Sequence, residues 1–317
     1  MSNSIKRVFW TEADIPDIKG RHFVVTGGNS GLGFETVRAL STRGATVTLA
    51  CRNIEKGNSA RDAIVKQFGP VEIDVRELDL ASLTSIRDFA AHLATSPIDV
   101  LINNAGIMAP PKNHTADGFE SQLGTNHLGH FALTAQLWSG LMKSEAPRVV
   151  TVSSNAHKMS QMKAGRMKWD DLMSEKSYSA WGAYAQSKLA NLLFAFELQR
   201  RAEAAKLIKF KSIAAHPGYS STNLSLSVAP TAPGLVRKIS RSVENVIAQD
   251  ATMGALPQLY AATELNVPGG AYIGPDGFGE WRGYPKIVNA AAPAKDLADA
   301  KKLWQISEVL TKVNFNI

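Results

Sequence analysis

From residue 22 onward, short β-branched apolar runs alternate with longer segments whose apolar positions recur at helical spacing. Residues 22–26 read as a strand, and 31–43 as a helix with Phe34, Val37 and Leu40 on one face. A strand at 46–50, a helix at 55–68, a strand at 71–78 and a helix capped by Ser82 follow. A strand at 99–103, a long helical region at 117–143 and a strand at 148–152 close the regular part. Beyond it come a helix at 180–204, strands at 210–215 and 271–274, and an amphipathic helix at 294–312. In that last helix Leu297, Leu303, Ile306 and Leu310 are available for packing. Strands alternating with helices of this length predict an α/β fold, a doubly wound parallel sheet of about seven strands with helices on both faces. Ligands of such sheets sit outside the carboxyl ends of the strands. Residues 1–317 read as one domain, with loop insertions near 155–179 and 219–247.

Composition narrows the class. Hydrophobic residues make up 44% of the 317 and charged residues 20%, which describes a folded chain and excludes disorder. The 35 Lys and Arg outnumber the 28 Asp and Glu for a net charge of +7. No dense Lys/Arg run is present, so this reads as a mildly basic surface and argues against nucleic acid. The single cysteine, Cys51, excludes an internal disulfide framework and a Cys-rich metal site. It suits a reducing compartment, and a cytoplasmic location is the expectation. His127 and His130 share a helix face but lack a third ligand at a sensible spacing, so no metal is expected. No stretch reaches the ~20 apolar residues of a membrane span. Residues 1–17 carry no apolar run of the signal-peptide kind.

Three features carry chemistry. Thr26-Gly27-Gly28-Asn29-Ser30-Gly31-Leu32-Gly33 joins the first strand to the first helix. Glycines there let a pyrophosphate approach, and the helix presents free N–H groups to it, so a Rossmann-type dinucleotide site is expected. At the end of the second strand, where a carboxylate would bind a free ribose 2′-hydroxyl, the chain has Cys51-Arg52-Asn53. Arg52 suits a 2′-phosphate, which favours NADP(H) over NAD(H). Tyr184 and Lys188 lie one helical turn apart, where the ammonium favours the phenolate and lowers the Tyr pKa. The same spacing arises in ordinary surface Tyr–Lys pairs, so the pair alone assigns nothing. Ser154 ends the fifth strand at the ligand edge, while Ser153 reads as a residue satisfying loop backbone.

Together these motifs resemble the short-chain dehydrogenase/reductase family. The residues that carry the resemblance are Thr26-Gly27-x-x-x-Gly31-x-Gly33, Leu78-Asp79, Asn103-Asn104-Ala105-Gly106, Asn126, Ser154, Tyr184-x-x-x-Lys188 and Pro217-Gly218-x-x-x-Thr222, in that order. Ala50-Cys51-Arg52-Asn53, the long gap between Ser154 and Tyr184, and Ser187-Lys188-Leu189-Ala190-Asn191 are similar to the retinol-dehydrogenase-like branch. The resemblance implies that Gly27, Ser30, Gly31, Leu32 and Gly33 cradle the cofactor and that Arg52 contacts its 2′-phosphate. It places Asp79 and Leu80 beside the adenine, and Asn104, Ala105 and Gly106 near the ribose. Pro217, Gly218 and Thr222 would contact the nicotinamide end. Tyr184 is the implied proton donor or acceptor, Ser154 steadies the substrate oxygen, and Lys188 binds the nicotinamide ribose. Asn126 would hold a water that extends a proton relay to Lys188.

The implied activity is hydride transfer between NADP(H) and a carbonyl or alcohol of a small molecule, as a homodimer or a monomer. Met159, Met162, Met167, Trp169, Leu172 and Met173 in one insertion, and Leu224, Leu226, Val228 and Leu235 in the other, form either an apolar lid for a lipophilic substrate or plain packing. Two other readings stand beside this one. A protochlorophyllide-reductase-like enzyme would depend on further cysteines, and a non-catalytic NADP-binding sensor would typically lack the Tyr–Lys pair.

Overall fold

β1 (His22–Thr26) buries Phe23 and Val25 on one face of a sheet and Val24 on the other. That alternation is what a strand covered on both sides requires. The computed structural model describes residues 9–162, 167–219 and 249–317. After β1 come α1 (Gly31–Ser41), β2 (Thr46–Cys51), α2 (Ile54–Phe68), β3 (Ile73–Glu77), α3 (Leu83–Leu93) and β4 (Val100–Asn103). Ser82 caps α3 as expected, accepting a hydrogen bond from the Ser85 N–H. Three short helical pieces follow: α4 (Ser121–Leu123), α5 (Gly129–Gln136) and α6 (Trp138–Leu141), with a π turn at Gly124–Leu128. β5 (Arg148–Val152), α7 (Ala180–Ala204), β6 (Lys211–Ala215), α8 (Ala251–Thr263), β7 (Tyr272–Pro275), β8 (Pro285–Ile287) and α9 (Leu297–Thr311) complete the chain.

The strands form one sheet in the order β3-β2-β1-β4-β5-β6-β7-β8. Seven run parallel and β8 pairs antiparallel with β7, so the sheet is mixed and has eight strands rather than about seven. The extra strand is a three-residue edge piece with two exposed positions, too short to leave a period in the sequence. The order reverses between β1 and β4, which opens a crevice at their carboxyl ends.

Two other elements differ from the pattern. The helical region begins at Ser121 rather than 117, because residues 114–120 close a turn through Gly118 at φ +84°. α8 is not legible from periodicity. It is buried on nearly every face and holds Pro257, so it shows neither an amphipathic stripe nor a clean helical composition.

One face of the sheet is covered by α1, α2 and α8, with Val37, Leu40, Ile64 and Leu259 buried there. The other is covered by α3, α5 and α7 through Phe89, Phe131 and Phe194. α9 lies over α7 and α5. Trp304 and Phe315 pack on Phe131 and Phe194, and His127 meets the Ser307 hydroxyl at 2.9 Å. Of the four leucines and isoleucines expected to pack there, Leu303 is buried and Leu297 is exposed. No helix among the described residues is long and apolar enough to cross a membrane.

Candidate active site

The glycine loop is shaped by backbone contacts that leave no room for side chains. Gly27 and Gly31 take φ of +67° and +52°, a region that favours glycine. A Cβ on Gly33 would stand 2.1 Å from the Gly27 carbonyl oxygen, so the helix start is pressed against the loop. The Gly27 N–H donates to the Ala50 carbonyl at 2.7 Å, tying the loop to the end of β2. Ser30 is the N-cap of α1, yet its hydroxyl caps no backbone N–H. The free N–H groups, the tight approach and the uncommitted hydroxyl fit a bound pyrophosphate. Arg52 follows β2 and is exposed, and its neighbour Asn53 caps α2 by accepting from the Lys56 N–H at 2.8 Å.

The loop after β4 hangs on Thr26. Its hydroxyl accepts from the N–H groups of Asn104 and Ala105, both at 2.9 Å. His130 Nδ1 donates to the Asn126 carbonyl at 3.0 Å, which leaves Nε2 as an acceptor for the Thr26 hydroxyl at 2.9 Å. Burial pushes His130 down to about 4, so the neutral ring this network needs is the stable one. Asn104 Nδ2 donates to the Thr26 carbonyl at 2.8 Å, and Gln258 of α8 donates to Asn104 Oδ1 at 3.2 Å. Asn126 clamps the next residues: it accepts from the Ile107 N–H at 2.8 Å and donates to the Ile107 carbonyl at 3.0 Å. A Cβ on Gly106 would lie 3.1 Å from Asn126 Oδ1 and 3.5 Å from Lys188 Nζ, so these two residues flank the loop.

β5 and α7 carry the reactive groups. The Val152 carbonyl accepts from Lys188 Nζ at 3.2 Å and from Asn191 Nδ2 at 3.0 Å. Ser153 donates to the Lys188 carbonyl at 2.8 Å, so it satisfies backbone of helix α7 rather than of a loop. These bonds fix the strand end against the helix, and the Ser154 hydroxyl acts on the Tyr184 phenol, easing its ionisation. Lys188 Nζ lies 5.7 Å from the centre of the Tyr184 ring. Ser187, bonded to Asn126 Nδ2 at 2.9 Å, joins α7 to the π turn.

Burial dominates the electrostatics. It pushes Tyr184 up to about 12, opposed by the Ser154 hydrogen bond. The neighbouring ammonium does not bring the phenol below its ordinary value, contrary to the expectation from spacing. Lys188 is itself desolvated and pushed down to about 8, which weakens its hold on the phenolate. The arrangement is therefore a neutral phenol beside a readily neutralised amine, poised to donate a proton toward a substrate oxygen.

Ser154, Tyr184, Lys188, Asn126 and Gly106 are thus assembled at the carboxyl ends of β4 and β5, and the glycine loop follows β1 on the other side of β4. Asp79 caps the turn before α3 through the Ala81 N–H at 2.9 Å, and Leu80 is buried against Gly129. Gly218, at φ +68°, would carry a Cβ 2.4 Å from the Trp281 carbonyl, and the Pro217 carbonyl accepts from Gln249 at 2.7 Å. Thr222, Leu224, Leu226, Val228 and Leu235 lie outside the described residues. In the other insertion packing wins for Met167, which is buried, and for Trp169, which donates to Asp299 at 3.1 Å. The sequence reading misses Thr26 as a hub, Gln258, and Trp181, whose ring stands edge-on to Tyr184 at 6.0 Å. Only Trp181 offers a signal, as an aromatic one helical turn before Tyr184. Among the described residues no group of His, Cys, Asp and Glu can hold a metal.

Residues 21–165 match the family model described as short chain dehydrogenase. Human retinol dehydrogenase 14 is 38% identical over 307 residues, covering 92% of this chain and 86% of that protein. Human retinol dehydrogenase 12 is 44% identical over 209 residues, or 65% of this chain and 64% of that one. Among solved structures, an uncharacterized protein from Mycobacterium paratuberculosis superposes with a TM-score of 0.80 at 45% identity, covering 98% of this chain and 100% of its own.

Proposed function

We propose, from the premise that the chain belongs to the short-chain dehydrogenase family and to its retinol-dehydrogenase-like branch, that it is an NADP(H)-dependent oxidoreductase of lipophilic carbonyls and alcohols. The observation that carries this reading is the assembly of Tyr184 and Lys188 on α7 against the carboxyl end of β5, where Lys188 is bonded to the Val152 carbonyl and Ser154 acts on the Tyr184 phenol. Gly27, Ser30, Gly31, Leu32 and Gly33 hold the pyrophosphate. Arg52 pairs with the 2′-phosphate, and the absence of a carboxylate at that strand end supports NADP over NAD. Asp79 and Leu80 would border the adenine, Asn104, Ala105 and Gly106 the ribose, and Pro217 and Gly218 the nicotinamide.

The bound nicotinamide supplies or accepts the hydride. As a carbonyl is reduced, negative charge grows on its oxygen, where the hydroxyls of Ser154 and Tyr184 converge as donors. Tyr184 passes its proton to that oxygen. Lys188 holds the ribose hydroxyls and keeps a cation near the phenolate as it forms. Asn126, flanking Lys188, positions a water that returns the proton. The buried, apolar surroundings that raise the phenol's pKa hold the proton until a substrate oxygen accepts it.

The test is NADPH oxidation followed by absorbance, with a panel of ketones, aldehydes and retinoid-like substrates. Wild type turns over at least one of them. Tyr184→Phe loses about 10²- to 10⁴-fold in kcat while NADPH binding persists. Binding without turnover across the panel, or near-normal rates in Tyr184→Phe, contradicts the reading.

A further inference from the structure

We propose that His157 is a positioning residue that sets Ser154 for proton donation; the inference rests on the activity proposed above. His157 sits three residues after Ser154 and has no solvent exposure. Its Nδ1 lies 2.6 Å from the Ser154 carbonyl oxygen, which also accepts the His157 backbone N–H at 3.0 Å. A carbonyl only accepts, so Nδ1 carries the proton. Nε2 is 3.2 Å from the Ala291 N–H, which only donates, so Nε2 is bare. One neutral tautomer satisfies both partners, and the ring bridges the end of β5 to the segment between β8 and α9.

The consequence falls on the Ser154 hydroxyl. Its oxygen accepts from the Ala156 N–H at 3.1 Å, closing a turn at the residue whose carbonyl His157 holds. That acceptance leaves the hydroxyl proton free to act on the Tyr184 phenol, which it favours in its ionised form. Neighbouring elements hold the ring in place. Tyr272 of β7 packs edge-on to it at 5.7 Å, and Lys158 is tied to Glu280 at 3.0 Å. Burial keeps the ring neutral, pushing it down to about 4 against the pull of the Ser154 carbonyl. Both ring nitrogens of His157 bond to backbone atoms, so its influence on the Ser154 hydroxyl runs through the Ser154 backbone.

The test is a double-mutant cycle on carbonyl reduction. His157→Ala lowers kcat about tenfold to a hundredfold, the scale of a misplaced reacting group, with KM and NADPH affinity changed less than about threefold. His157→Asn, whose amide N–H replaces the Nδ1 donor, recovers most of that loss. In the Ser154→Ala background, His157→Ala costs less than about twofold more, because the group it positions is gone. Crystal structures of both His157 variants read the Ala156–Ser154 turn and the placement of the Ser154 hydroxyl without turnover: lost in Ala, kept in Asn. A folded His157→Ala with wild-type kcat, an Asn variant as slow as Ala, or losses that multiply in the double variant would overturn the proposal. Turnover that needs Tyr184 but ignores His157 sinks this inference alone. Lack of any Tyr184-dependent turnover sinks the proposed activity, and the crystal structures still decide the positioning.

Discussion

The two ends of the crevice are built from different materials. At the cofactor end the geometry is made by backbone: positive-φ glycines, and a helix start so close to the loop that a single Cβ on Gly33 collides with the Gly27 carbonyl. At the catalytic end it is made by side chains, with Ser153, Ser154, Ser187, Lys188 and Asn191 each engaged in a named hydrogen bond. The first end fails when volume is added, the second when a polar atom is removed. The contrast also separates binding from chemistry, and substitutions at the two ends sort into those classes.

The largest effect is expected at the residue that serves both. Lys188→Met removes the cation beside the phenol and, on the proposed function, the contact to the ribose. Both kcat and NADPH affinity then fall, kcat by about 10³-fold, in stopped-flow and binding titrations. If affinity held while kcat fell, Lys188 would belong to the catalytic end alone. Gly33→Val comes next and breaks the backbone-built end. NADPH affinity drops by about a hundredfold, and overpacking costs about 1–3 kcal/mol of stability, read from fluorescence titration and urea unfolding. Arg52→Glu is milder and selective. It lowers kcat/KM with NADPH by about tenfold to a hundredfold, the range of one charge-assisted hydrogen bond, and leaves NADH untouched or improved. Equal losses with both cofactors would remove Arg52 from the 2′-phosphate site.

How much of this was readable beforehand follows the same division. The glycine loop, β1 and β5 were legible because glycine spacing and β-branched runs are local signals, and α7 was bounded correctly at Ala180–Ala204. Tyr184 and Lys188 were legible because one helical turn brings them together. The Thr26 hub, Gln258 and the Ala291 bond of His157 were not, because each joins partners far along the chain: Thr26 to Asn104, Gln258 to Asn104 from α8, and His157 to Ala291. No spacing encodes those pairs. The rise in the Tyr184 pKa was missed for a related reason: desolvation is a property of the packed core, while the Lys188 charge is visible in the sequence.

A separate effect concerns stability alone and touches the buried histidines. Burial lowers His127 to about 3, and His130 and His157 to about 4, from 6.5. Below pH 6.5 the unfolded chain takes up these protons and the folded chain does not. Stability is therefore full above 6.5 and falls as the pH drops toward 4, by on the order of 1 kcal/mol per pH unit for each histidine. Urea midpoints between pH 7.5 and about 5 check this. A flat profile would mean that the rings are protonated in the fold, against the neutral tautomers of His130 and His157.

The account rests on Tyr184 facing the hydride-transferring ring, and a crystal structure with NADP⁺ bound tests it directly. The predicted result has the pyrophosphate on the Gly27–Gly33 loop, Lys188 on the ribose hydroxyls, and the Tyr184 and Ser154 hydroxyls converging beside the nicotinamide. A dinucleotide bound elsewhere, or a Tyr184 hydroxyl turned away from the ring, would contradict it.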